Sequence, residues 1–403
     1  MPNAIVLSAG NKNIEATIHL PASKSISNRV LIIQSLCDIK FKIENLSNAD
    51  DTVTLQKLLN SNEKVLNAGE GGTTFRFLLA YLALNGKQTV LTGSKRMLQR
   101  PIQPMVDALN KLGARIEYID RSGFPPLKIN ESRLVGGTIE IDASISSQFI
   151  SALLLIAPYL KNGLAIKLKG KEVSAAYTDM TINLMQGFGA DVKRNGDLIA
   201  VSNQQYQPKS FCVESDWSAA SYWYAIAALS NSSNIFLENL HEKSLQGDNA
   251  VTDIMKNFAV ETHFENGGVR LKKNKNAIPE IFEYDFLSCP DLFQTVCIVC
   301  AALNIPSSFT GLQTLKHKET DRLAAMETEL KKLNSFVNKG IDFFEIIKGI
   351  DSNFEANILT YNDHRMAMAF APLALKMKSV TIENPEVVSK SYPEFWKDFY
   401  SSI

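Results

Sequence analysis

The chain has 403 residues, enough for about two domains of ordinary size and a large core. It is 45% hydrophobic and 21% charged, with 42 Lys and Arg against 42 Asp and Glu, which argues against bulk electrostatic attachment to nucleic acid or a membrane surface. Any cationic site is therefore local.

The first ten residues, MPNAIVLSAG, lack a basic segment followed by an apolar signal-type run, so a cytoplasmic protein is expected. LPASKSISNR (20–29) then sets Lys24, Ser25 and Arg29 among hydroxyls just before the apolar run VLIIQSL. Helix starts carry exposed N–H groups and the positive end of the macrodipole, so these side chains suit a phosphate or carboxylate. A capped helix with solvated cations explains the same stretch equally well. NAGEGGTTFRF (67–77) brings Gly72, Thr73, Thr74 and Arg76 to a second helix start. It lacks the Gly-Lys-Ser/Thr of a P-loop and the spacing of a dinucleotide fingerprint, and a plain turn before a helix is the simpler reading. In KRMLQRP (95–101) a helix is predicted to open at Pro101 with Arg100 beside it.

Ser146, Ser147 and Gln148 precede a third apolar helix. Their neutral donors and acceptors suit sugar-like hydroxyls or phosphate oxygens. Its run FISALLLIAPYL, like every other apolar run, falls short of the ~18 residues of a membrane span. Further helices follow ESDWSAASYWYAIAAL, CPDLFQTVCIVCAAL and NDHRMAMAFAPLAL. Asp291 in the second of these reads either as an N-cap or as a general base. Cys297 and Cys300 form a CxxC in an apolar, β-branched context, which favours buried thiols over a metal or redox pair. The five cysteines, an odd number without framework spacing, fit a reducing compartment.

KHKETDR (316–322) is read as helical, with Lys318 and Arg322 on one face and Glu319 three residues from Arg322. Surface ion pairing is the plain explanation of that run. Asp363, His364 and Arg365 lead into a buried segment, where unpartnered polar groups would cost several kcal/mol.

Two phrases recur. A polar start before an all-round apolar helix appears six times, and such helices belong inside the fold. A helix end running into an alternating stretch appears at 109–119, 184–194, 254–264 and 330–339, about 70 to 76 residues apart. The pattern predicts six similar αβ units, three to a domain.

With LPASKSISNR, GGTTFRF, the arginine of QRP, SSQF, SAAY, Pro290-Asp291, KETDR, YNDHRMAM and the lysine of SKSYPEF in that order, the chain resembles the 5-enolpyruvylshikimate-3-phosphate synthase family of enolpyruvyl transferases. The resemblance implies transfer of the enolpyruvyl group of phosphoenolpyruvate to the 5-hydroxyl of shikimate 3-phosphate. Phosphate leaves through a tetrahedral intermediate, without metal or organic cofactor. It implies an α/β (α+β) fold of two domains in an inverted α/β barrel-like architecture, each of three βαβαββ units with buried parallel helices. Residues 1–22 and 214–403 would form a discontinuous domain and 23–213 an inserted one, with the active site in the interdomain cleft.

The resemblance assigns Lys24, Ser25, Arg29, Ser146, Ser147, Gln148, Ser174, Tyr177, Asp291, Thr314 and Lys318 to shikimate 3-phosphate. It assigns Lys24, Gly72, Arg76, Arg100, Gln148, Arg322, Arg365 and Lys390 to phosphoenolpyruvate. Lys24, Asp291, Lys318, Glu319 and His364 are the implied catalytic set, with Asp291 the candidate base and Glu319 the group that protonates the methylene carbon. A monomer without nucleic-acid or membrane partners is expected. The chain departs from the family pattern at Glu70-Gly71-Gly72, where Asn-Ala-Gly is common, and at Phe77 and Thr314. Glu70 thereby places an acid beside the phosphoenolpyruvate groups. Enolpyruvyl transfer to UDP-N-acetylglucosamine is the nearest alternative, disfavoured by Lys24-Ser25 in place of Lys-Asn and by the absence of cysteine in a loop after Arg100. Nucleotide-dependent phosphotransfer lacks its phosphate loop. A non-catalytic phosphate binder is countered by the retention of Lys24, Asp291, Lys318 and Glu319.

Overall fold

The computed structural model describes residues 3–10 and 12–403. The chain divides into two compact units, Met1–Ala22 with Glu214–Ile403, and Ser23–Val213. Both are mixed α/β.

In the unit Ser23–Val213, strand Val65–Asn67 pairs in parallel with Thr89–Thr92, which pairs antiparallel with Leu127–Asn130, and that in turn with Arg115–Tyr118. Helix Gly72–Asn85 connects the first two strands and helix Gln103–Lys111 precedes the third. The same βαβαββ order recurs with Gly137–Asp142, Leu164–Lys169, Val192–Asn195 and Leu198–Val201, and with helices Ser147–Ile156 and Ala175–Gly187. A shorter element pairs Ile43–Glu44 with Phe211–Cys212, accompanied by helices Lys24–Leu36 and Asp50–Leu59.

The other unit repeats the order twice more. One sheet joins Asn13–Ile18, Ser232–Glu238, Gly268–Lys273 and Val260–Glu265, with helices Trp217–Leu229 and Val251–Lys256. A second joins Phe282–Asp285, Ser307–Thr310, Phe344–Lys348 and Phe336–Lys339, with helices Phe293–Ala302 and Arg322–Lys332. Ala356–Ile358, Val380–Glu383 and Ala4–Leu7 form a three-stranded sheet beside helix His364–Phe370.

All six helices expected to be buried are so. Every residue of Trp217–Leu229 except Ser218 is inside, and His364–Phe370 is buried throughout. Their apolar residues run round the whole helix, leaving no polar face to turn to water. Burying these side chains, at roughly 1.5–3 kcal/mol each, anchors the helix starts that carry polar groups. The four helix-into-strand phrases are the second helix and third strand of the four complete βαβαββ repeats. Cys297 and Cys300 are buried in helix Phe293–Ala302, where burial pushes the thiol of Cys300 up to about 12.

Three local expectations are corrected. The helix after KRMLQRP opens at Gln103, not Pro101: the residue before a proline is held extended, as Arg100 is (ψ 128), and Pro104 occupies the first turn instead. KETDR is not one helical face. Asp321 accepts a hydrogen bond from the Ala324 amide at 3.1 Å and starts the helix at Arg322, leaving Lys318 extended before it. Asp291 caps nothing; it lies in the 3₁₀ turn Pro290–Leu292 with its side chain turned to other work. Ser23, Ser146, Asp216 and Asp363 do serve as N-caps.

Candidate active site

In the unit Ser23–Val213, predicted residues gather at three helix starts. Lys24 is held by Asp51, Nζ to Oδ2 at 2.9 Å, with both side chains mostly covered. Asp51 lies on helix Asp50–Leu59, and its carbonyl accepts from the Thr74 hydroxyl at 2.8 Å, tying the first two starts together. At the second, two buried guanidiniums converge on one glycine. A Cβ at Gly72 would stand 2.7 Å from Arg100 Nη1, Arg100 Nη2 and Arg76 Nη1. Arg76 also donates to the Gly72 carbonyl at 3.0 Å and lies over the Phe149 ring, and Arg100 donates to the Glu70 carbonyl at 3.4 Å. A side chain at position 72 would meet the ends of both arginines, and glycine leaves that space to them. At the third start Gln148 Nε2 donates to the Thr73 hydroxyl at 3.4 Å. Its Oε1 is buried without a partner among the described residues, an acceptor ready for a ligand donor.

Arg29 behaves differently. Its Nε donates to Thr181 Oγ1 at 2.7 Å, Nη1 to the Ser25 carbonyl at 2.8 Å, and Nη2 to Ser151 Oγ and the Tyr177 carbonyl at 3.2 and 3.1 Å. Burial lowers its pKa to about 10, still fully charged at neutral pH. The guanidinium organises Ser25 and Tyr177 from behind. Ser147 and Ser174 are buried at the starts of their own helices, and Ser174 adopts a left-handed φ of 55°.

The unit carrying residues 214–403 holds a denser cluster centred on Asp291. Its Oδ1 accepts from Arg322 Nη1 at 2.8 Å and Lys318 Nζ at 3.2 Å, while Oδ2 lies 3.0 Å from Arg365 Nη2. Arg322, 1% exposed, binds two more carboxylates: Asp363 through Nε at 2.8 Å and Glu319 through Nη2 at 3.0 Å. Burial alone would lower the Arg322 pKa, but Asp363, Glu319 and Asp291 outweigh it and hold the value above the usual one. Burial lowers that of Lys318 against the pull of Asp291. Arg365 also donates to the Asp291 carbonyl, Tyr222 Oη and Ser218 Oγ, at 3.3, 3.3 and 3.2 Å. His364 is buried with Nδ1 3.8 Å from Asp363 Oδ1. The Thr314 hydroxyl is buried without a partner among the described residues, and Lys390 Nζ donates to the Asn362 carbonyl.

Sequence reasoning missed Asp51, Ser218, Tyr222 and Asp248. Asp248 hydrogen-bonds Ser218, and burial, aided by Asp291, pushes its carboxyl up to about 6. Asp51 follows another acid at a helix start, which reads as ordinary dipole compensation; nothing local marks its reach to Lys24, 27 residues away. Among the described residues no group of three or more His, Cys, Asp or Glu could hold a metal ion, and no helix is long and apolar enough to cross a membrane.

The mixed α/β chain thus gathers paired buried guanidiniums at one helix start and a lysine- and arginine-bound pair of carboxylates elsewhere. The profile of the family described as EPSP synthase (3-phosphoshikimate 1-carboxyvinyltransferase) matches residues 8–61 and 54–399. The chain is 48% identical over 388 residues to a 3-phosphoshikimate 1-carboxyvinyltransferase of Bacteroides fragilis, covering 96% of this chain and 94% of that protein. It is 36% identical to the one of Haemophilus ducreyi, covering 96% and 95%. The solved EPSP synthase of Acinetobacter baumannii superimposes with a TM-score of 0.79 at 21% identity, covering 99% of this chain and 98% of that one, which shows a shared fold. The chain belongs to the EPSP synthase family.

Proposed function

We propose that the chain transfers the enolpyruvyl group of phosphoenolpyruvate to the 5-hydroxyl of shikimate 3-phosphate, releasing phosphate through a tetrahedral intermediate. Family membership supports the reading. The observation that carries it is the Asp291 cluster, in which Arg322 bridges the candidate base to the candidate acid Glu319.

The chemistry needs both. Protonating the methylene carbon of an enol ether gives cationic character at the adjacent carbon, and the attacking hydroxyl must lose a proton as the C–O bond forms. Asp291 is positioned by three cations to accept from that hydroxyl, and Glu319 protonates the methylene carbon and later removes that proton. Such a group contributes about 10²–10⁴ in rate. His364 stands beside this set. Arg76 and Arg100 at Gly72, with Lys24, Arg365 and Lys390, neutralise phosphoenolpyruvate, and the Gln148 amide hydrogen-bonds to it. Ser25, Ser146, Ser147, Gln148, Ser174, Tyr177, Thr314 and Lys318 hold shikimate 3-phosphate. Arg29 is assigned to shikimate 3-phosphate and Arg322 to phosphoenolpyruvate, and their hydrogen bonds within the protein also fix their neighbours. Holding the reactants at near-attack distance is worth roughly 7–11 kcal/mol, and fixed cations stabilise the leaving phosphate.

We place this activity on an inverted α/β barrel-like fold of three βαβαββ units per domain, as a cytoplasmic monomer. The four complete repeats support that architecture. Phosphate release from phosphoenolpyruvate should require shikimate 3-phosphate. Release that depends on UDP-N-acetylglucosamine instead would overturn the acceptor assignment, and ATP turnover would overturn the reaction class.

A further inference from the structure

Glu329 is fully buried, at 0% exposure, on helix Arg322–Lys332, two turns beyond Arg322. Its oxygens are all engaged. Oε1 accepts from Tyr361 Oη at 2.5 Å and Lys332 Nζ at 2.9 Å; Oε2 accepts from the Leu359 amide at 3.2 Å and Lys332 Nζ at 2.7 Å. Lys332 neutralises the buried charge from the same helix. That pairing does not explain why the carboxylate also reaches the segment 359–361.

The segment makes a turn that side chains disfavour. Tyr361 and Asn362, neither of them glycine, are consecutive left-handed residues with φ of 52° and 55°, a conformation that persists only where surrounding contacts enforce it. Directly after it come Asp363, His364 and Arg365. Asp363 accepts from Arg322 Nε at 2.8 Å and from the Arg365 amide at 2.9 Å, and the Asn362 carbonyl accepts from Lys390 Nζ. One helix thus grips the segment at two points: Arg322 holds residue 363, and Glu329 holds residues 359 and 361. Burial and the Glu329 contact push the Tyr361 phenol up to about 12, so it remains a donor at any working pH.

We infer that Glu329 is a positioning residue for Arg365 and Lys390, acting through the left-handed Tyr361–Asn362 turn. It does not touch substrate; it fixes where two anion-binding side chains stand. The inference rests on the proposed assignment of those two residues to phosphoenolpyruvate.

Glu329→Gln turns one acceptor into a donor facing groups that already donate. Its KM for phosphoenolpyruvate should rise about 10-fold, with kcat within about threefold and the KM for shikimate 3-phosphate unchanged, since displaced positioning groups can cost up to about 10²-fold. Amide exchange at Leu359 and over residues 360–362 should accelerate. Tyr361→Phe, which removes one hydroxyl, should move KM and exchange in the same direction by about threefold, and the double variant should go no further than Glu329→Gln alone. Glu327→Gln, on the same helix but paired with surface lysines, should alter neither. An unchanged KM for phosphoenolpyruvate in both Tyr361→Phe and Glu329→Gln, whatever the loss of thermal stability, would overturn the inference. If Glu329→Gln does not fold, Tyr361→Phe decides. An unmutated chain without phosphoenolpyruvate-dependent phosphate release would sink the functional reading instead. Exchange would then decide the grip alone, and unaltered exchange in Tyr361→Phe would refute it.

Discussion

The charged groups of the two units are buried by opposite strategies. In Ser23–Val213, Arg29, Arg76 and Arg100 meet carbonyls, hydroxyls and aromatic faces, and Lys24 lies 2.9 Å from Asp51. In the other unit, Lys318, Arg322 and Arg365 are matched to Asp291, Glu319 and Asp363. Cations buried on neutral partners keep an outward field that attracts anions. Cations buried on carboxylates hold those carboxylates in place through charge-assisted hydrogen bonds. The second arrangement fixes the proposed acid and base beside cations that are themselves proposed to meet substrate.

The contrast can be broken by substitution. Asp291→Asn should have the largest effect, lowering turnover about 10²–10⁴-fold while the protein also loses the compensation of three buried cations, a change worth about 3–5 kcal/mol for a broken buried pair. Turnover kinetics and thermal melting read the two effects separately. Glu319→Gln should cost about 10²-fold or more in turnover with phosphoenolpyruvate affinity little changed; unaltered turnover would remove Glu319 from proton transfer. Arg100→Met tests the other strategy. Direct titration should show phosphoenolpyruvate affinity falling by about 10-fold or more, in line with loss of a charge-assisted contact worth about 1.5–3 kcal/mol. Retained affinity would show that the convergence at Gly72 serves packing alone.

A smaller effect concerns pH. The Asp248 carboxyl is raised from its ordinary 3.8 to about 6, by burial first and by Asp291 second. Since the folded value is the higher one, its favourable contribution is full below the unfolded value and is lost as pH climbs through about 6. Asp248→Asn should therefore melt higher than the unmutated chain at pH 8, by at most about 3 kcal/mol, with the gain vanishing toward pH 4. A gain that grew on acidification would reverse the sign. Smallest of all, Glu70→Ala should tighten phosphoenolpyruvate binding by no more than about threefold, because the side chain is half-exposed and its charge is screened by solvent.

What was legible in the sequence follows from how local each signal is. Six buried helices could be read because all-round apolar runs have one physical outcome, and the starts of four could be read because Ser and Asp cap through short-range bonds. The same locality misled at KETDR, where four-residue spacing mimics a helical face but Asp321 begins the helix only at Arg322. Long-range partnerships left no trace: Arg29 with Thr181 is separated by 152 residues and Arg322 with Asp363 by 41. Position in the chain marks such residues as charged; only the fold decides whether they face a ligand or each other.

The bare α-carbon at residue 72 has a corollary for how this pocket can change. Because guanidinium nitrogens of Arg76 and Arg100 stand where a side chain at residue 72 would project, any larger residue there changes where those two flexible ends lie. Alanine there could enter only by pushing Arg76 and Arg100 aside. Changes at the neighbouring Thr73, Gln148 or Glu70 would leave both guanidiniums where they are, so the two kinds of substitution separate the placement of the arginines from the surroundings they share.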